Sequence, residues 1–263
     1  MSVSESLELS YLTYQERQLA AVSADGVKNS LLKAKCSDKF TFENDRWVKH
    51  PYPGYAVASM LDTNPDNERL STVLQAVQAD LIWETKLNEY IFQLPAPSFH
   101  QTVANTLSSD RFLTNIRSKG LEYAYPQWVE QAFETYQQTS NDPIKMRIRG
   151  ISIFGSSLGV LGTFDHEEGF NRILSFRNHF YDTSDLNALG IKCTRPFIGH
   201  ITLGYFGQDL TPEAKDKLYR KIEQLNAILA KEELFFTMEN TALRRYDELS
   251  VFQDLPNYPV VQL

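Results

Sequence analysis

Apolar positions recur along the chain with two alternating periods. Leu12, Gln15, Leu19 and Val22 stand three and four residues apart and predict a helix. An irregular polar stretch follows and runs to His50-Pro51-Tyr52-Pro53-Gly54, where two prolines and a glycine mark a boundary. Residues 55–61 form an apolar run that predicts a strand, and residues 67–84 return to the helical period with Leu70, Val73, Leu74, Val77 and Leu81 on one face. Next, 89–106 opens as a strand, 128–138 reads as a helix, and 146–164 as two strands joined through Gly155-Ser156-Ser157. A helix over 167–181, a strand over 196–206, a helix capped by Thr211-Pro212-Glu213 and running to about residue 230, and strands over 234–252 complete the pattern. This order predicts an α+β fold of two halves, although the halves share no sequence identity.

Composition narrows the class. With 263 residues, 42% hydrophobic and 22% charged, and only 2 cysteines, the chain is neither disordered, collagen-like nor a disulfide scaffold. Its length suits one large domain or two small ones, and the Pro/Gly boundary divides it into an N-terminal extension, residues 1–50, and a main domain, residues 51–263. A net charge of −7 repels a polyphosphate and argues against coating long nucleic acid, while leaving room for a small phosphorylated ligand. No apolar run reaches the ~18 residues of a membrane span, and the first residues lack the basic start and apolar block of a secretory signal. Cys36 and Cys193 have no Cys-x-x-Cys or zinc-ligand partners, so two free thiols in a cytoplasmic protein are expected. Residues 145–202 hold 7 basic against 5 acidic side chains and are the one net-positive stretch.

The candidate chemistry sits in two short segments. His100-Gln101-Thr102-Val103 and His200-Ile201-Thr202-Leu203 both lie in expected strands, at matching places in the two halves. Because successive strand side chains alternate faces, each His and the Thr two residues later project together, while Phe99 with Val103, and Ile201 with Leu203, point into a core.

These paired His-x-Thr segments resemble the signature of the two-histidine phosphoesterase superfamily, which includes bacterial RNA 2′,3′-cyclic phosphodiesterases and so-called 2′-5′ RNA ligases. The resemblance spans roughly residues 52–255, leaves 1–50 outside the usual core, and puts Gln101 where the family usually carries an apolar residue. It implies two similar lobes, each an antiparallel sheet backed by helices, with an active-site cleft between them. It also implies a monomer that acts without a cofactor on a small nucleotide or RNA end.

The chemistry agrees with that expectation. Opening a 2′,3′-cyclic phosphate or cleaving a 2′-5′ phosphodiester needs one group to take a proton and another to give one, and two imidazoles can do both near neutrality. His100 and His200 are the expected acid/base pair, with Thr102 and Thr202 donating to the non-bridging oxygens and no metal required. Arg149, which shares a strand face with Arg147, is the candidate cation for the substrate's phosphate. Asp165-His166-Glu167-Glu168 reads as a helix start rather than a metal cluster, His179 as a packed or capping residue, and His50 as part of a turn. Tyr205, at an odd offset from His200, is expected on the far face. Two alternatives stay open: a phosphodiesterase for a nucleotide metabolite such as an ADP-ribose cyclic phosphate, and a non-catalytic phosphate-binding module.

Overall fold

The computed structural model describes residues 7–263; Met1–Ser6, on which the reading of the chain start partly rests, lie outside the described residues. The first elements are two helices, α1 (Tyr11–Val22) and α2 (Ala24–Leu32), and a hairpin, β1 (Phe40–Glu43) and β2 (Arg46–Lys49). They lead into β3 (Gly54–Met60), α3 (Glu68–Ala79), β4 (Ile91–Gln93) and β5 (His100–Ser108). The middle of the chain forms α4 (Asp110–Asn115), α5 (Ala124–Glu134), β6 (Ile144–Phe154), β7 (Ser157–Phe164), α6 (Glu167–Asp182) and α7 (Ser184–Ala188). The remainder gives β8 (His200–Phe206), α8 (Pro212–Leu229), β9 (Phe235–Met238), β10 (Asn240–Tyr246) and β11 (Val260–Gln262).

The fold is α+β, as the order of elements predicts. All strand pairings are antiparallel. A four-stranded sheet runs β11-β10-β3-β5 and a five-stranded sheet runs β4-β8-β7-β6-β9. Helices α4, α5 and α6 pack on the first sheet, and α1, α2, α3 and α8 on the second, with α6 also reaching β6 and β7. The sheets approach each other where β5 passes β8. The apolar face of α3 is buried at Leu70, Leu74 and Val77, and Thr211 caps α8 by accepting from the Ala214 N–H. Among the described residues no helix is long and apolar enough to cross a membrane.

The first fifty residues depart most from the sequence expectation. Helix α1 forms, but Leu12 and Leu19 are exposed, and the buried face carries Tyr14 and Gln18. The reason is the surface it meets, which combines the rings of Phe164, Phe170 and Phe197 with buried backbone carbonyls. Tyr14 Oη donates to Gly162 O (2.7 Å), and Gln18 Nε2 donates to both Gly162 O (2.9 Å) and Gly199 O (2.7 Å). Only glycine permits this approach, since a Cβ on Gly199 would come within 2.4 Å of the Tyr14 hydroxyl and 2.7 Å of Met146 Sδ. Buried carbonyls need donors, so polar side chains displace leucines from the docking face. The stretch expected to be irregular also contains β1 and β2, joined by Asn44 and Asp45 with φ of 52° and 59°. Phe40 of that hairpin stacks on Phe92 at 4.1 Å. Residues 11–49 thus contribute to the same core as the rest of the chain, and no packing boundary falls at residue 50.

Replacing Gln18 with Leu should lower the unfolding free energy by about 1–3 kcal/mol, because it strips a donor from two buried carbonyls. A urea melt with an unchanged midpoint would show that water replaces the amide.

Candidate active site

Strands β5 and β8 repeat one pattern of exposure. His100, Thr102 and Asn105 face outward on β5, as do His200, Thr202 and Tyr205 on β8, while the residues between them are buried. The step from two residues to three is a β-bulge in each strand. On β5, Thr102 pairs with Ala58 and Ala104 with Val57, leaving Val103 unopposed; on β8, Thr202 pairs with Gly159 and Gly204 with Leu158, leaving Leu203 unopposed. The bulge reverses the parity of the residues that follow it, until a second register shift on β5 between Asn105 and Ser108 restores it there. Tyr205 therefore lies on the same face as His200 and Thr202, not on the far face that plain alternation predicts.

Both faces open into one cleft of about 450 Å³ that is lined by His100, Thr102, His200 and Thr202 together. Each imidazole is set in the same way. His100 Nδ1 lies 2.7 Å from Ser98 O and His200 Nδ1 lies 3.0 Å from Ile198 O, in both cases the carbonyl two residues back. A carbonyl only accepts, so Nδ1 carries the hydrogen and Nε2 is left as the reactive nitrogen. An aromatic ring flanks each imidazole, Phe252 at 4.3 Å from His100 and Phe154 at 5.2 Å from His200. Burial lowers the pKa of both, that of His200 to about 4, with the His100 charge adding to the effect. Both imidazoles are thus neutral in the unliganded cleft at pH 7.

The cations of the cleft are not the expected one. Arg149 is absent from the lining; its Nε donates to Thr163 Oγ1 (2.6 Å) and its Nη2 meets Asp165 Oδ1 (3.1 Å). Arg147 reaches Asp165 and Glu233. The cleft is lined instead by Lys39, Arg111 and Arg195. Arg195 belongs to the net-positive stretch that the sequence singles out, whereas no sequence signal marks Lys39 or Arg111. Arg195 Nη2 donates to Asn105 Oδ1 (3.0 Å), and its own carbonyl accepts from buried Arg177 (3.1 Å), which is paired with Glu8 (2.7 Å). His179 bonds Ala132 O and Thr135 at the end of α5, and His50 bonds Thr41. No group of three or more His, Cys, Asp and Glu converges as a metal site among the described residues.

No protein-family model matches the chain, and no match was found among curated proteins. Solved structures are similar in fold. The crystal structure of a conserved protein of unknown function, ATU0111 from Agrobacterium tumefaciens, superposes with a TM-score of 0.61 at 16% identity, covering 90% of this chain and 97% of that one. TT0787 of Thermus thermophilus gives a TM-score of 0.44 at 13% identity, over 80% of this chain and 95% of that one.

The depressed imidazole pKa values carry two consequences. The unfolded chain protonates His100 and His200 near 6.5 and the folded chain only lower, so the stability from neutral His200 is intact above pH 6.5 and lost as pH falls toward 4. A bound anion reverses this preference. Sulfate should therefore bind more tightly as pH falls from 7 to 5, by up to about tenfold per pH unit for one proton taken up, and should raise Tm most at acid pH. Calorimetry finding a sulfate affinity independent of pH would contradict this linkage.

Proposed function

We propose that this chain is a metal-independent phosphodiesterase of the two-histidine type, opening a 2′,3′-cyclic phosphate or cleaving a 2′-5′ phosphodiester in a small nucleotide or RNA end. The observation that carries it is the convergence of two His-x-Thr pairs, one from each sheet, on a single cleft. The two sheets correspond to the two lobes of such an enzyme.

Its chemistry uses the geometry directly. A water oxygen attacks phosphorus in line with the leaving oxygen; one neutral imidazole takes the water proton at Nε2, and the other, protonated, gives its proton to the leaving alkoxide as the phosphorus–oxygen bond breaks. Thr102 and Thr202 donate to the non-bridging oxygens, where charge accumulates. Burial keeps both rings neutral until the anionic substrate arrives, and the phosphate charge then raises the pKa of one imidazole so that it holds the proton it must deliver. Two free cysteines, Cys36 and Cys193, support a reducing, cytoplasmic setting.

Incubation with cyclic mononucleotides, 2′-5′ dinucleotides, cyclic-ended RNA and ADP-ribose cyclic phosphate, with EDTA present, tests the proposal. Turnover of at least one of these is expected. His100→Ala and His200→Ala should each lower kcat by roughly 10²–10⁴-fold, and the double variant should be little worse than either single one. Because kcat/KM reports the groups of the free enzyme, its bell should peak on the acid side of pH 6.5. Wild-type turnover in both single histidine variants would end the two-histidine mechanism.

A further inference from the structure

Gln101 follows one candidate catalytic histidine in sequence and bonds to the backbone of the other. It lies on the buried face of β5, and its side chain is 0% exposed. Its Oε1 accepts from the His200 N–H (2.6 Å), and its Nε2 donates to Ile198 O (3.0 Å) and Thr102 O (2.7 Å). Donor and acceptor are both used, which fixes the orientation of the amide. The carbonyl of Ile198 therefore receives two hydrogens, one from Gln101 and one from His200 Nδ1.

The backbone explains why an amide is needed there. Strand β7 covers one edge of β8 throughout, but β4 pairs with the other edge only at residues 204–206. At Ile198 and His200 no strand pairs with that second edge among the described residues. A side-chain amide offers the same donor and acceptor as a peptide group, and bonding the C=O of residue 198 and the N–H of residue 200 is what a parallel strand would do opposite Gly199. Gln101 reaches from one sheet to fill the missing place in the other.

We infer that Gln101 is a positioning residue, which registers the strand bearing His200 against the strand bearing His100 and fixes the Ile198 carbonyl that orients the His200 ring. The inference rests on the phosphodiesterase reading for its kinetic consequence, but not for its structural one. An apolar residue at this position would pack equally well and leave the His200 N–H without a partner.

Gln101→Met keeps the length and most of the volume. Circular dichroism and Tm should show a folded protein, while kcat falls at least tenfold with KM changed less than about threefold. In a His200→Ala background the same substitution should cost nothing further, because its effect passes through His200. The His200 titration, followed by the imaging of its ring protons in NMR spectra, should move up toward 6.5 as the ring loses its fixed, buried place. Gln101→Glu gives a second reading if the methionine variant fails to fold. A protonated carboxyl supplies both donor and acceptor, whereas an ionised one faces two carbonyl oxygens, so activity should fall as the introduced carboxyl ionises. Wild-type kcat with an unmoved His200 titration in Gln101→Met would overturn the inference, as would an equal loss in the His200→Ala background. If the wild type turns over no phosphodiester the functional proposal fails, and the His200 titration alone then decides the role of Gln101.

Discussion

The cleft depends on how the peptide units just before His200 are held. No regular ladder runs through residues 198–200 on both sides, and side chains bond three of the backbone groups there. Gly199 O accepts from Gly162 N and from Gln18 Nε2, Ile198 O from Gln101 Nε2 and the His200 ring, and the His200 N–H goes to Gln101 Oε1. Three elements far apart in sequence, namely α1, β5 and β7, thus meet on one short segment. The His100 side is built differently. A 3₁₀ turn at Ala96–Ser98 closes through Ser98 N to Pro95 O and Phe99 N to Ala96 O, so its carbonyl is set by local backbone. One imidazole is placed by a turn and the other by long-range hydrogen bonds, and the second has more ways to be disturbed.

The bulges make a further demand on the core. Each pushes out a residue whose carbonyl leaves the ladder, and a buried carbonyl without a donor is costly. Val103 O is taken by Arg177 Nη1 (2.6 Å), and Leu203 O by Leu94 N (3.1 Å) and Gln78 Nε2 (2.7 Å). Arg177 is itself buried and needs a counter-charge, which Glu8 supplies while its other oxygen accepts from Phe197 N. A single buried ion pair therefore supports the bulge on β5 and the loop that carries Arg195 to the cleft. In a protein of net charge −7, holding cations at this one place gives the cleft a local sign opposite to the whole.

Period and punctuation made much of this legible in the sequence. The core face of α3, the hairpin of β6 and β7, the Thr211 cap and the two outward His-x-Thr pairs all follow from local spacing. What was missed lies where a longer-range demand overrides it. Leu12 and Leu19 fit a helical stripe, but the surface that meets α1 presents buried carbonyls among aromatic rings and selects Tyr14 and Gln18. Tyr205 fits alternation until the bulge at Leu203, which no single residue announces. Arg149 stands on an outward strand position, and its partner Asp165 comes from the far end of β7. The hairpin of β1 and β2 is different, since Asn44-Asp45 between two alternating runs is a turn signal that could have been read.

Strands β5 and β8 are equivalent in backbone rather than in sequence. His, Thr and the bulged residue occupy 100, 102 and 103 in one strand and 200, 202 and 203 in the other, with the same sequence of exposures in both. Beyond the bulge the equivalence ends. Asn105 holds the guanidinium of Arg195, whereas Tyr205 packs with Phe40 at 5.2 Å, so one arm of the cleft carries a guanidinium and the other an aromatic cluster with Lys39 over Tyr52. Near the histidines the lining is nearly symmetric and suits a tetrahedral centre that is approached from either side. If the cleft holds a phosphodiester as proposed, its near-symmetric centre would take the reacting phosphate, and the difference between Asn105 and Tyr205 would orient the rest of the ligand.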